Sequence, residues 1–345
     1  MFPWLSDSWL SLLRIFSGDR EPHSILLYGK DGLGKKEIAR ELAKFYLCFN
    51  KCGSGYCGSC PSCQNFSRNT HGDFIVIGSE NGSKIGIDEI REMIDTVSMT
   101  AKMGHGKVVI IENAELLTVS AANSLLKILE EPFPDLLFIL TADSLLKLIP
   151  TILSRCVKFK INDPDFNMAV SWMRDQVTDK SVDLKHLFLL NNYSPVDTVR
   201  FVNANQHHHI NRLIKAVADF VYSRSNPAAV IDILKDITKN SPYNKADEEQ
   251  KDKKSKPKEL VFRIIYPWLY YIVSDIYRSR VTGSLRENYF IKTERLLEPF
   301  KKIPVHVLHE SLEQLIELSR SDQILETSFI DLYIINWLNS LARKQ

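Results

Sequence analysis

The chain has 345 residues, enough for about two to three domains, and its 44% hydrophobic and 25% charged residues are typical of a packed globular protein. Its 44 Lys and Arg residues nearly balance its 42 Asp and Glu residues, so the net charge of +2 excludes nucleic-acid binding by bulk charge. No secretory signal and no apolar run of about 18 residues is present, so we expect a cytoplasmic chain without a membrane segment.

Short apolar runs alternate with segments of helical spacing between residues 22 and 162. Four of the five predicted strands are nearly continuous apolar runs, which indicates strands buried on both faces. The predicted strands cover residues 23–28, 73–77, 107–111, 136–140 and 157–161. The predicted helices between them cover residues 35–47, 87–99 and 118–131. This alternation predicts an α/β domain, in which helices cover both faces of a parallel sheet.

Helical periodicity replaces the strand signal after Asp163 and Pro164 and continues to the end of the sequence. The chain is therefore predicted to contain an α/β domain, a small helical unit and an all-α domain. We expect these domains to cover residues 1–162, 163–205 and 206–345.

The all-α region contains one stripe of apolar residues and one polar segment. The stripe, from Val261 to Ile276, is typical of the core of a helical bundle. Residues 245–258 carry six Lys, four acidic residues and no large apolar residue, so a mobile loop is predicted over 241–258. The alternative, a DNA-contacting arm, is disfavoured because the acidic residues cancel most of the positive charge.

The segment GKDGLGKK, residues 29–36, stands between a predicted strand and a predicted helix. Its glycines, Gly29, Gly32 and Gly34, would let backbone N–H groups surround a phosphate, and Lys35 would reach the β and γ oxygens. Lys36 stands where a Ser or Thr hydroxyl usually coordinates Mg²⁺, and an ammonium group repels that cation. The pattern predicts a loop of P-loop ancestry in which binding of ATP and Mg²⁺ is disfavoured.

Five of the six cysteines lie between residues 48 and 63, in a pattern typical of a metal site. Cys57, Cys60 and Cys63 follow one another at spacings of three residues, and the fourth thiolate comes from Cys48 or from Cys52. Four thiolates around Zn²⁺ form a closed tetrahedral site with no open position for a substrate. The cluster therefore predicts a structural zinc site.

The predicted strand 107–111 is followed directly by Glu112 and Asn113. A P-loop ATPase holds its metal-binding carboxylate and its water-activating Glu at these positions. Asparagine cannot take a proton from an attacking water. Together with Lys36, Asn113 predicts a chain that keeps an ATPase fold and does not turn over ATP.

Arg155 lies between a short helical segment and the last predicted strand. An arginine before a strand is most often a surface ion pair. At the rim of a P-loop domain, however, its guanidinium group could reach the ATP site of a neighbouring subunit and stabilise the γ-phosphate charge.

In their order along the chain, these motifs resemble the clamp-loader branch of the AAA+ proteins. The resemblance covers about residues 4–162 closely and extends as a weaker helical pattern to the C-terminus. The segments that carry it are HSILLYGKDGLGKKEIARELAKFYLC, CGSCPSC, HGDFIVI, IGIDEIREMID, KVVIIENAELLTVSAANSLLKILEEP and LIPTILSRC.

The resemblance implies an AAA+ domain, a helical lid and a helical collar that packs into a ring of subunits. It assigns the zinc ligands to Cys48, Cys57, Cys60 and Cys63, leaves Cys52 spare and gives Arg155 the role of a trans-acting arginine finger. The implied partners are motor subunits of the gamma/tau type, the delta subunit, primer-template DNA in the assembled complex and, indirectly, the sliding clamp. The degenerate motifs favour a stationary subunit that helps to load the clamp.

Two alternatives remain open. A gamma/tau-type motor subunit would bind and hydrolyse ATP, since Lys35 is present and Glu112 could still ligate Mg²⁺. A zinc-dependent nucleic-acid-binding module would read DNA or RNA through the cysteine segment. Residues 51–68 contain only two basic side chains, which is a sparse charge pattern for that second role.

Overall fold

The structure is a computed structural model that describes residues 1–18, 21–53, 55–78, 83–103, 106–223, 226–239, 258–286, 288, 290–291, 293–320 and 327–342. The chain divides into two compact units. The first contains Met1–Trp172 and Ser194–Val196, and the second contains Met173–Tyr193 and Asp197–Gln345. The limits of a lid and a collar stay a prediction. Residues 241–257 of the loop predicted at 241–258 lie outside the described residues, and Lys258 begins a helix.

The first unit is built on a five-stranded parallel sheet with the strand order β2-β3-β4-β1-β5. Its strands are β1 Ser24–Tyr28, β2 Phe74–Ile77, β3 Lys107–Ile111, β4 Leu136–Ala142 and β5 Val157–Lys160. Its helices are α1 Ser6–Ile15, α2 Lys35–Leu47, α3 Pro61–Ser67, α4 Ile87–Ser98, α5 Val119–Glu130, α6 Pro150–Leu153 and most of α7 Phe166–Gln176. This is the predicted α/β fold.

Alternate residues of the central strands enter two different cores. Ile25 and Leu27 of β1 pack with Leu12 of α1 and Leu42 of α2 on one face of the sheet. Leu26 of β1 faces the other way and packs in the core that α4 and α5 complete. Because β1, β3 and β4 are covered on both faces, their sequences are continuous apolar runs.

The prediction that β2 is buried on both faces is wrong. Its residues are apolar, but β2 is an edge strand of this sheet, and Val76 is 40% exposed. The same pattern of apolar residues therefore has two outcomes, because the number of neighbouring strands and covering helices decides how much of a strand is buried.

The second unit is helical. Its further helices are α8 Leu184–Leu190, most of α9 Pro195–Asn203, α10 His208–Ser223, α11 Ala228–Lys239, α12 Lys258–Thr282, α13 Glu294–Leu297, α14 Val305–Arg320 and α15 Thr327–Ala342. The described side chains of the predicted apolar stripe are buried on α12, namely Trp268, Leu269, Ile272, Val273 and Ile276. Among the helices in the described ranges, none combines the length and the apolar character needed to cross a membrane.

Candidate nucleotide site, cysteine cluster and Arg155

The predicted phosphate-binding loop connects β1 to α2 and requires glycine at two points. A Cβ atom on Gly29 would lie 2.6 Å from the carbonyl oxygen of Ile161. Gly34 has a φ of +91°, and a Cβ atom there would lie 2.6 Å from the Phe2 ring. Gly32, with a φ of +70°, also adopts a left-handed conformation. The backbone therefore has the tight turn that the sequence predicts.

Lys35 points into its own loop. Its side chain is only 5% exposed, and Nζ donates a hydrogen bond of 2.7 Å to the carbonyl oxygen of Lys30. The same Nζ lies 2.8 Å from Oδ1 of Asp143, which follows β4. The ammonium group that would contact a phosphate is thus neutralised by groups of the same chain.

Lys36 and Glu112 form an ion pair across the carboxyl edge of the sheet. Nζ of Lys36 lies 2.6 Å from Oε2 of Glu112. Asn113 adopts a left-handed conformation, with φ 51° and ψ 60°, and its backbone N–H donates to Oγ1 of Thr141 over 3.0 Å. The Lys36 ammonium group therefore lies beside the carboxylate that was predicted to bind a metal.

Asp143 and Glu115 belong to the same region and were missed by the sequence analysis. Oε1 of Glu115 accepts a hydrogen bond of 2.9 Å from the backbone N–H of Asp143. Burial raises the pKa of the Glu115 carboxyl above its usual value. Asp143 could have been found, because it directly follows a buried strand and the carboxyl ends of parallel strands meet at one edge of a sheet.

The N-terminal residues pack directly on the loop. Nε1 of Trp4 donates a buried hydrogen bond of 2.9 Å to the carbonyl oxygen of Leu33. The rings of Phe2 and Trp4 stack at 4.8 Å, and Trp172 of α7 contacts both rings edge-on. The loop is therefore held by an aromatic cluster, although no motif in the sequence indicates this contact.

The structure brings Cys48, Cys57, Cys60 and Cys63 together, with all four sulfur atoms within 4.8 Å of one another. The Sγ atom of Cys48 lies 3.6 Å from that of Cys57 and 4.0 Å from that of Cys60. A tetrahedral zinc–thiolate site, with Zn–S bonds of about 2.3 Å, needs sulfur atoms about 3.8 Å apart. Cys52 is exposed and lies outside this group. The cluster has the donor type, number and spacing of a structural metal site.

Backbone N–H groups donate hydrogen bonds to sulfur atoms of the cluster. The N–H of Cys57 donates to Sγ of Cys48 over 3.3 Å, and the N–H of Cys60 donates to Sγ of Cys57 over 3.3 Å. Backbone donors from Ser59 and Cys60 lower the pKa of Cys57 to about 6, whereas burial raises the pKa of Cys63 to about 12. Because metal ligation requires thiolates, binding would release protons from the more basic thiols.

The buried side chains of Ser62 and His71 form hydrogen bonds next to the cysteine cluster. Oγ of Ser62, beside Cys63, donates 2.7 Å to the carbonyl oxygen of Leu47, beside Cys48. Nε2 of His71 lies 3.0 Å from the same Oγ, and the backbone N–H of Asp73 donates 3.2 Å to Nδ1 of His71. Because Nδ1 accepts a hydrogen bond, the proton of the neutral imidazole lies on Nε2. Burial lowers the pKa of His71.

Arg155 lies after α6, and its guanidinium group contacts its own chain. Nη1 donates to the carbonyl oxygen of Thr151 over 2.9 Å and to Oγ of Ser154 over 3.2 Å, and Nη2 pairs with Glu130 at the end of α5. The side chain is 30% exposed. The position fits the predicted surface ion pair.

Comparisons with known proteins agree with the motifs. Residues 6–165 match the sequence model of a family described as DNA polymerase III, delta subunit. The DNA polymerase III subunit delta' of Pseudomonas aeruginosa is 36% identical over 204 residues, which are 58% of this chain and 61% of that protein. The subunit delta' of Escherichia coli is 33% identical over 178 residues, which are 51% of this chain and 53% of that protein. These alignments span less than two thirds of the relatives' own length.

A crystal structure of a DNA polymerase III gamma subunit-related protein from Thermotoga maritima has a similar fold. The TM-score is 0.50 at 18% identity, and the match covers 97% of this chain and 99% of that chain. The fold is an AAA+ P-loop-type α/β domain followed by an all-α region. The resemblance to clamp-loader proteins is confirmed over residues 6–165, and the sequence relatives are delta-prime subunits of DNA polymerase III.

Proposed function

We propose that this chain acts as a delta-prime-like, largely non-hydrolysing subunit of a DNA polymerase III clamp loader. In this role it would help motor subunits to load the sliding clamp onto primer-template DNA in the cytoplasm. The proposal is supported by the family of the N-terminal half and by the chemistry of the candidate nucleotide site.

The observation that carries the non-hydrolysing role is the ion pair between Lys36 and Glu112, whose charged atoms are 2.6 Å apart. A working P-loop site needs a carboxylate that is free to support a divalent cation and a second carboxylate that activates water. Here a lysine neutralises Glu112, and Asn113 cannot act as a base. Both requirements for hydrolysis fail within one site.

The active contribution of the chain would be Arg155, offered to the ATP of the adjacent motor subunit. A guanidinium group stabilises the charge that develops on the γ-phosphate. The partial exposure of Arg155 supports this role, because 30% of the side chain is accessible to solvent. The implied neighbours are gamma/tau-type motors and a delta subunit.

Zinc is the metal that best suits the cysteine cluster. Four thiolates favour Zn²⁺ over the hard cations that prefer oxygen ligands. Cys48, Cys57, Cys60 and Cys63 would hold it with no open coordination position. The site would stabilise the segment between α2 and α3 and would not take part in chemistry.

A nucleotide-binding titration of the isolated chain tests the non-hydrolysing role. We expect weak binding of a fluorescent ATP analogue, no dependence on Mg²⁺ and no release of phosphate. Tight Mg²⁺-dependent binding with turnover would replace the proposal by a gamma/tau-type motor. Salt-dependent binding of duplex DNA by the isolated chain would instead favour the nucleic-acid-binding module.

A further inference from the structure

Arg155 is held at both ends by groups of its own domain. Oγ of Ser24, at the start of β1, donates a hydrogen bond of 2.6 Å to the backbone carbonyl oxygen of Arg155. The guanidinium group contacts Thr151, Ser154 and Glu130. The backbone is therefore fixed to the sheet, and only the side chain is free to change its partner.

Among these contacts of the guanidinium group, Glu130 supplies the one carboxylate. The carbonyl oxygen of Thr151 and the hydroxyl of Ser154 are neutral acceptors. A phosphate oxygen in a neighbouring site would compete with Glu130 for the same Nη2 donor, because carboxylate and phosphate are both anions that bind arginine through charge-assisted hydrogen bonds. Glu130 is 49% exposed, so an approaching subunit would meet this ion pair at the surface.

The contacts of Arg155 are also incomplete. Its Nε atom is buried and has no hydrogen-bond partner within the described part of the chain. A buried donor without a partner raises the free energy of a conformation. An arginine with a purely structural role would be expected to satisfy all its donors. The unpartnered Nε atom therefore favours a side chain that can leave this conformation for another one.

We propose that Glu130 is a positioning residue that holds Arg155 against its own domain until the phosphate of a neighbouring subunit's nucleotide displaces it. This inference rests on the proposed role of Arg155. Only molecules in which Arg155 has left Glu130 can bind the neighbour's phosphate, so the apparent affinity is reduced in proportion to the fraction of such molecules. The strength of the Glu130 contact would therefore set the concentration at which the chain engages an ATP-loaded neighbour.

The first test uses the isolated full chain and does not depend on ATP hydrolysis. Glu130→Gln keeps the shape of the side chain and removes its charge, and Glu131→Gln, on the next residue, is the matched control. Arginine modification by phenylglyoxal, followed at Arg155 by mass spectrometry, reports how tightly the guanidinium group is held. We expect Arg155 to react roughly two- to fivefold faster in Glu130→Gln, because this factor corresponds to the free energy of an exposed ion pair. Arg155 should react at the wild-type rate in Glu131→Gln. Equal rates in all three chains would overturn the inference.

The second test mixes the chain with a motor subunit of the same organism and measures ATP turnover against chain concentration. We expect Glu130→Gln to lower the half-saturating concentration by about the same factor, with unchanged turnover at saturation. A purely structural ion pair would leave that concentration unchanged or raise it, and either result would overturn the inference. Failure of the proposed function gives a different result. In that case Arg155→Ala would leave the turnover of the mixture unchanged, even if Glu130→Gln makes Arg155 more reactive.

Discussion

Nζ of Lys36 lies 2.6 Å from Oε2 of Glu112, so a side chain in the first turn of α2 supplies the positive charge beside the carboxylate that follows β3. In a P-loop ATPase the corresponding charge belongs to a divalent cation held between the loop and the strand. The two residues are far apart in the sequence but meet because the loop after β1 and the end of β3 share one edge of the sheet. The Lys36 ammonium group thus lies beside the carboxylate at which such an ATPase would hold its metal.

Lys36→Thr is expected to make nucleotide binding depend on Mg²⁺. The change removes the ammonium group, frees Glu112 and restores a hydroxyl ligand. A unit charge about 4 Å from another costs about 4 kcal/mol at an effective dielectric constant of 20, so an affinity gain of at least about tenfold with Mg²⁺ is expected. Titration with a fluorescent ATP analogue, with and without Mg²⁺, measures the gain.

Lys44→Thr is the control for this prediction, because Lys44 lies on the same helix and contacts the Tyr56 ring away from the loop. Its affinity should match that of wild type under both conditions. If Lys36→Thr shows no dependence on Mg²⁺, the ion pair is not what prevents metal binding.

Cys57→Ser is expected to remove the metal and to loosen the segment from Cys48 to Cys63. A structural zinc site contributes its binding free energy to folding, so loss of one thiolate should lower both metal content and local stability. Metal analysis of the purified chain should give about one zinc for wild type and none for the variant. Hydrogen exchange of residues 48–63 should become faster.

Cys52→Ser is the matched control, because Cys52 lies in the same segment but outside the sulfur cluster. It should retain zinc and wild-type protection. If Cys52→Ser loses the metal and Cys57→Ser keeps it, the assignment of ligands is wrong.

His71 is expected to make the stability of the first unit depend on pH. Burial lowers the pKa of folded His71, so the unfolded chain binds a proton more readily. The stability that neutral His71 contributes is therefore complete above the unfolded pKa of about 6.5 and is lost as the pH falls through the lower folded value. Protonation of Nδ1 would also remove the hydrogen bond that this atom accepts from the backbone N–H of Asp73, because two N–H groups would then face each other.

His71→Gln keeps one acceptor and one donor but does not titrate. Urea unfolding followed by circular dichroism at about pH 7.5 and about pH 5.5 should show a smaller loss of unfolding free energy in this variant than in wild type. Protonation of the cysteines affects both chains and cancels in the comparison. The same loss in both chains would show that His71 does not contribute to the pH dependence.

The sequence predicted the parts of the site that depend on local pattern. Gly29, Gly34 and Lys35 follow a strand at fixed spacing, and the cysteine pairs at Cys57, Cys60 and Cys63 can bind one ion only if the chain turns tightly between them. In these motifs the spacing of the residues along the chain determines their positions in the fold. The choice of Cys48 over Cys52 rested on family resemblance, and the structure places Cys48 within the cluster.

Contacts between distant segments were not visible in the sequence. Trp4 donates to Leu33, and Glu130 pairs with Arg155, but neither pair belongs to a spacing rule. The exposure of β2 was also mispredicted, because an apolar run does not reveal whether a strand has one neighbour or two. These features depend on how the elements assemble, and they become predictable only when the strand order is known.

The most direct test of the account is the rate of ATP hydrolysis by a motor subunit mixed with wild-type chain or with Arg155→Ala. Trans-acting arginines contribute roughly 10³- to 10⁵-fold to the rate where they have been measured, so the variant should remove most of the stimulation that this chain provides. Arg174→Ala, at the end of α7, controls for the loss of a positive charge. Stimulation by Arg155→Ala equal to that by wild type would contradict the account.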